Sequence, residues 1–286
     1  MPTILVTGAT GTVGSRTIEQ LAPMPGVTVR AAVHSRPVET QRDNVESVAV
    51  DYDQPETLRS AAEGIDAAFL ITPAVPNQME LAERALGALQ AARVPRLVRL
   101  SVMGADRADP RMFQSAHAKT EQDIAASGIP HTFLRPSSYM SEFLAFFGPD
   151  AEGDIRLPWG EAGVSHIDPR DIAVVAAHVL TTEEHVGKAY TVTGPEAISV
   201  GPIASQISEA SGRRIQYIDV PEEAMREGML ASGMPEGMVD FLLDLHAAYK
   251  AGEMSGVTDT VRELTSRPAR TFQEFVRDHA QGWKTT

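Results

Sequence analysis

The chain contains no cysteine. Disulfides, thiolate metal ligands and a cysteine nucleophile are therefore excluded, and the composition suits a reducing compartment. No stretch of about eighteen apolar residues occurs, so no membrane-spanning helix is expected. The N-terminus lacks the charged and apolar regions of a secretory signal and reads as a strand instead, so a cytoplasmic location is expected. Positive charge is also scarce: 25 Lys and Arg stand against 38 Asp and Glu, a net charge of −13. Such a surface repels a phosphate backbone, and no basic run points to a lipid surface, so neither nucleic acid nor membrane is an expected partner. The eight histidines are scattered without H-E-x-x-H spacing, and no G-x-S-x-G elbow is present. Neither a metal site nor a serine nucleophile is expected. Internal repeats and low-complexity segments are absent.

What is present begins at the first strand. Ile4, Leu5 and Val6 form a short continuous apolar run, as suits a strand buried on both faces of a parallel sheet. Gly8, Gly11 and Gly14 follow at once, and a helical pattern runs from Thr12 to Leu21. One glycine permits the sharp turn, one lets the backbone approach a pyrophosphate, and one lets the helix pack closely on the strand. The helix then presents its N–H groups and positive dipole end to the phosphates. A glycine triplet alone is a weak signal; between a strand and a helix it reads as a dinucleotide site.

The 286 residues, 43% of them hydrophobic, allow one large or two modest domains with a real core. Strands are expected at 27–33, 47–50, 67–72, 96–101 and 131–135. Helices are expected between them: one capped by Asp53 and running to about Ala62, one over 78–92, and one over 113–127 ended by Gly128. Alternating strands and helices predict an α/β fold with a Rossmann-type, doubly wound parallel sheet. The rhythm changes near residue 150. The expected division is a dinucleotide-binding domain over 1–150, to which later segments return, and a smaller, mostly helical substrate part over 151–286. In that part Pro169 opens a helix at N1, short strands are expected at 188–193 and 215–219 with a helix over 200–211 between them, and Met225, Met229, Met234 and Met238 read as adaptable core packing in preference to a pocket lining.

An acid at the end of the second strand would select NAD, whereas a cation there meets the 2′-phosphate of NADP. The segment is His34-Ser35-Arg36, with no carboxylate, so NADP(H) is the expected cofactor and NAD(H) the alternative. Asp51 is placed to meet the adenine edge. Ser101 closes the fifth strand at the carboxyl end, where ligands bind in open α/β sheets. Ser115 and Lys119 follow, one helical turn apart on one face. In the typical short-chain dehydrogenase that pair is Tyr and Lys, the Lys holding the nicotinamide ribose and lowering the Tyr pKa. Serine in the Tyr slot is a poor acid, so reversible alcohol oxidation is not expected, nor is sugar-nucleotide epimerisation. His117 is given a supporting role.

Five segments, in order, resemble the NmrA-like atypical short-chain dehydrogenase/reductase family: Val6–Gly14, Ser101–Asp106, His117–Glu121, Leu134–Met140 and Asp168–Ala173. The resemblance runs from residue 2 to about 280. That group includes a triphenylmethane reductase and an NAD(P)H:quinone reductase, and its namesake is a regulator that binds dinucleotide without turnover. The resemblance implies NADP(H) binding by the first domain, a substrate cleft roofed by the C-terminal part, and a small-molecule electron acceptor. The expected catalytic residues are Lys119, Tyr139 and Ser101. Cofactor contacts are expected from Gly8, Thr10, Gly11, Thr12, Val13, Gly14, Arg36, Asp51, Thr72, Pro73, Ser101, Lys119 and Pro136. Many members carry Arg where His34 stands, so the 2′-phosphate contact shifts to Arg36. Electron-poor acceptors fit the missing Tyr, because their products delocalise charge or take protons from water. Tyr139, Phe143, Phe146 and Phe147 are read either as a flat aromatic wall for substrate or, in the three Phe, as the buried face of a helix. Two functions stay open, a reductase and a dinucleotide-sensing regulator, and so does oligomeric state.

Overall fold

The computed structural model describes residues 2–283 except Glu39, Gln41, Ala74 and Pro76. Its elements, in chain order, are β1 (Thr3–Val6), α1 (Thr12–Leu21), β2 (Thr28–Val33), β3 (Val45–Ala49), α2 (Pro55–Ala61), β4 (Ala67–Leu70), α3 (Gln78–Ala91), β5 (Leu97–Leu100), α4 (Met112–Ala126) and β6 (His131–Pro136). After them come α5 (Glu142–Ala145), β7 (Asp154–Leu157), α6 (Pro169–Thr181), β8 (Ala189–Val192), α7 (Val200–Ser211), β9 (Gln216–Asp219), α8 (Glu222–Ala231), α9 (Glu236–Lys250), α10 (Thr260–Thr265) and α11 (Phe272–Asp278). None of these helices is long and apolar enough to cross a membrane.

The chain divides into two compact units. The first comprises Met1–Arg107, Ser115–Pro136 and Pro169–Thr191, the second Ala108–Gln114, Ser137–Asp168 and Val192–Thr286. The expected boundary at 150 therefore moves to the end of β6. The stretch around residue 150 lies inside the second unit.

The first unit is built on a parallel sheet of seven strands in the order β3-β2-β1-β4-β5-β6-β8. Strand order reverses between β1 and β4, which leaves their carboxyl ends open as a crevice. Ile4, Leu5, Val6 and the whole of β4 are fully buried, because α1 and α6 pack together on one face and α2, α3 and α4 supply apolar residues to the other. Both faces being covered, these strands need no polar alternation. The Asp53 cap does not form. Helix α2 starts at Pro55, whose missing N–H costs nothing in a first turn, and Asp53 pairs with Arg84 at 2.5 Å instead.

In the second unit β7 and β9 form a separate parallel pair. Its core is aromatic: Phe143, Phe147, Trp159, Tyr249 and Phe272 are buried, and Trp159 meets Tyr249 edge-on at 4.5 Å between ring centres. Phe143 and Phe147 are therefore packing residues and not a substrate wall, while Phe146 is 81% exposed. The methionine expectation also fails. Helix α8 has no buried residue, and none of Met225, Met229, Met234 and Met238 is buried.

Candidate functional site

The loop after β1 shows what each glycine does. Gly8 has φ +60°, and a side chain there would press on Ile71 at 3.1 Å. A Cβ on Gly14 would stand 2.2 Å from the Gly8 carbonyl oxygen, a distance no real side chain tolerates, whereas one on Gly11 would stand 3.2 Å from it. Gly14 is the close-packing glycine and Gly8 the turn glycine. Gly11 is the N-cap of α1, with no side-chain cap and no acid in the first turn. The start of α1 at Thr12 and Val13 thus offers its positive end to an anion.

Beside that loop lies a groove of about 480 Å³ whose walls include Thr10, Ser15, Glu19, Arg36, Thr40 and Arg42. The structure brings Arg36 to the same groove as Thr10. It adds Arg42, which the sequence reading missed because it lies beyond the strand-two turn. Asp51 has other work: its carboxylate accepts the Asp53 N–H at 2.9 Å and the Gln54 side chain at 3.1 Å, holding the turn into α2. Tyr52, beside it, donates to the Ile71 carbonyl at 3.0 Å, and Thr7 closes the end of β1 on β4 by accepting the Ile71 N–H at 2.7 Å.

At the ends of β4 and β5 a charged group is built into the crevice. Arg99, 1% exposed in β5, donates to the Leu70 carbonyl at 3.1 Å and to the Thr72 hydroxyl at 2.9 Å. His117 approaches from α4, with Nε2 3.2 Å from the Gln78 amide, while its buried Nδ1 has no hydrogen-bond partner. Burial and the Arg99 charge push its pKa down to about 3, so the ring is neutral at ordinary pH. One turn along α4, Glu121 accepts the Ser101 hydroxyl at 2.5 Å and takes Arg135 in a two-pronged ion pair at 2.9 and 2.5 Å. Arg135 reaches Asp106 at 2.6 Å as well, and these carboxylates raise its pKa.

The pair of α4 that faces the sheet is therefore His117 and Glu121. Residues two apart on a helix lie on nearly opposite sides, so the expected pair Ser115 and Lys119 is turned away. Both are exposed, and Lys119 is ion-paired with Asp123. Ser101 is a buried strut that donates to Glu121, with its hydrogen already committed. Pro136, also buried, accepts the Met103 N–H at 2.8 Å, and Pro73 follows Thr72 beyond the end of β4.

Tyr139 belongs to the second unit, half-buried and bridged to Ile167. Next to it in sequence runs a buried polar chain invisible to motif reading. His166 Nδ1 lies 3.1 Å from the Ser138 hydroxyl, which donates to Glu142 at 2.6 Å. The buried Nε2 of the same ring has no hydrogen-bond partner. Burial pushes His166 down to about 3 and Glu142 up to about 7.

The model of the NmrA-like family matches residues 1–276. An NAD(P)H azoreductase of Xenophilus azovorans is 37% identical over 281 residues, covering 97% of this chain and 98% of that protein. A (4-alkanoyl-5-oxo-2,5-dihydrofuran-3-yl)methyl phosphate reductase of Streptomyces griseus is 36% identical, over 98% of this chain and 99% of that protein. Among solved structures, the NADPH-dependent quinone oxidoreductase of Escherichia coli with NADPH superposes with a TM-score of 0.87 at 27% identity, over 96% of this chain and 99% of that one.

Proposed function

This chain belongs to the NmrA-like family and is an NAD(P)H-dependent oxidoreductase, and we propose from that premise that it reduces electron-poor, conjugated small molecules, azo dyes or quinones, with NADPH preferred over NADH. The observation that carries the reading is the combination at the crevice of an uncapped helix start behind a glycine turn and a neutral histidine with no strong acid beside it. When bound, the dinucleotide supplies the hydride. Thr12 and Val13 of α1 would receive its pyrophosphate, and Arg36 with Arg42 its 2′-phosphate. Thr72, held by Arg99, and His117, with its unpartnered Nδ1, would orient the nicotinamide end.

The acceptor class follows from what His117 lacks. A ring whose pKa lies near 3 does not donate a proton at neutral pH, and Ser101 has given its hydrogen to Glu121. Ketones and aldehydes need a proton donor as the alkoxide forms; a quinone or azo group spreads the arriving charge and is protonated by water. Steady-state NADPH consumption with a panel of quinones, azo dyes and simple ketones tests this. Turnover is expected with the first two classes only. Tight NADPH binding without oxidation by any acceptor would overturn the reading in favour of a sensing role.

A further inference from the structure

A second cluster lies at the other end of the same sheet. His178 stands in the last turn of α6, and Glu184 and His185 lie in the connection from α6 to the amino end of β8. One ligating atom of each residue falls within 4.8 Å of the others. The sequence reading passed over this H-x5-E-H spacing because it matches no standard metal motif.

Three features distinguish it from a chance surface grouping. The His185 side chain is only 2% exposed, although Glu184 beside it is 73% exposed. The His185 ring is held from behind, with Nδ1 2.7 Å from the Tyr190 hydroxyl; its backbone carbonyl accepts the Thr132 hydroxyl at 2.7 Å. Its Nε2 has no hydrogen-bond partner and lies 3.9 Å from Glu184 Oε1, with the His178 ring edge-on at 5.2 Å between centres. A buried ring nitrogen without a partner carries an uncompensated desolvation cost. An imidazole with one nitrogen fixed by a hydrogen bond and the other free has the usual arrangement of a metal-ligating histidine.

We propose that His178, Glu184 and His185 bind one divalent first-row cation of the zinc type, with water completing the coordination. Two imidazoles and a carboxylate suit such borderline cations better than magnesium or calcium, which prefer all-oxygen shells. Metal–nitrogen bonds of about 2.0–2.1 Å require ligand atoms roughly 3.3 Å apart in a tetrahedron. Side-chain rotation of exposed Glu184 and half-buried His178 closes the present spacing without moving His185. Lys188 and Arg96 bring positive charge near the ring, although Arg96 is engaged by the carbonyls of Leu180 and Thr182. That charge makes the site weaker than a permanent structural zinc. Bound metal ties the end of α6 to the start of β8 and stabilises the first unit by mass action, at the sheet end opposite the nicotinamide site.

The test uses tag-free, chelator-treated full-length protein titrated with Zn²⁺ by calorimetry and followed by thermal denaturation. Wild type should bind one Zn²⁺ per chain and melt higher with it. His178→Ala and Glu184→Gln should each weaken binding at least about tenfold and remove the thermal gain, with NADPH affinity unchanged. Absence of stoichiometric binding in wild type would overturn the site. So would binding that stays within about twofold of wild type in either variant, since the metal would then sit on other histidines.

Discussion

The two units differ in how their main buried polar clusters are satisfied, although His117 of the first is kept neutral by burial as His166 of the second is. In the first, the buried charge of Glu121 is answered by an opposite charge, Arg135, and Arg99 is held by carbonyl and hydroxyl oxygens at the ends of β4 and β5. In the second, His166, Ser138, Glu142 and Tyr249 pass hydrogens along a chain without a cation, and burial drives the titratable groups toward their neutral forms. Paired charges at strand ends fix geometry around a ligand that carries its own charge, whereas a neutral chain inside an aromatic core fixes packing. Charge-driven binding belongs to the first unit, and pH-dependent stability mostly to the second.

The sharpest way to break that division is at Gly14. Gly14→Ala places a methyl 2.2 Å from the Gly8 oxygen. It should destabilise the first unit by about 1–3 kcal/mol and abolish NADPH binding, while Gly11→Ala, whose Cβ would stand 3.2 Å from the same oxygen, should cost less stability and act mainly by weakening NADPH at the pyrophosphate approach. Thermal denaturation and an NADPH fluorescence titration check the pair. The next effect is smaller and confined to one cofactor. Arg36→Ala should weaken NADPH by a factor of about ten, the value of one charge-assisted contact, and leave NADH unchanged. Equal loss for both cofactors would remove Arg36 from the 2′-phosphate.

A third prediction concerns the second unit. Burial raises Glu142 from 4.5 to about 7. Between those values the unfolded chain has released the proton and the folded chain still holds it, so stability falls as pH rises through the window and the loss is complete above it. Glu142→Gln removes that fall, so the variant should melt above wild type beyond pH 7 and close to it near pH 4.5. His117, His166 and His246, held at about 3, 3 and 4, act with the opposite sign. From their ordinary 6.5 downward the unfolded chain takes up protons first and stability falls with acidification. Comparing variant with wild type at each pH isolates Glu142. The smallest effects are expected on the outer face of α4: Ser115→Ala and Lys119→Ala should each change stability by less than about 0.5 kcal/mol.

The first unit was largely legible in the sequence because its signals are local. Apolar strand runs, three glycines and a Pro at N1 of α6 are each set by neighbours within a few residues. The exact bounds of α1 follow from such signals, and so do those of α7 in the second unit. What failed depends on contacts distant in sequence. Ser115 and Lys119 have the expected spacing but lie on the exposed side of α4, and the contacts of Glu121 with Ser101 and Arg135, 20 and 14 residues away, show which side faces the sheet. The His166–Ser138–Glu142 chain joins groups 28 residues apart with no spacing to mark them. Met225, Met229, Met234 and Met238 read as core by residue type, yet none is buried, since an apolar side chain does not show that anything covers it.

The face of α4 that serves the chemistry is the central claim, and single-turnover NADPH oxidation at saturating cofactor, with one quinone or azo acceptor, tests it most directly. His117→Ala should slow the step by on the order of ten- to a hundredfold through loss of nicotinamide alignment, with NADPH still bound, and Lys119→Ala should match wild type. A Lys119→Ala enzyme slowed to that extent beside an unaffected His117→Ala enzyme would contradict the assignment.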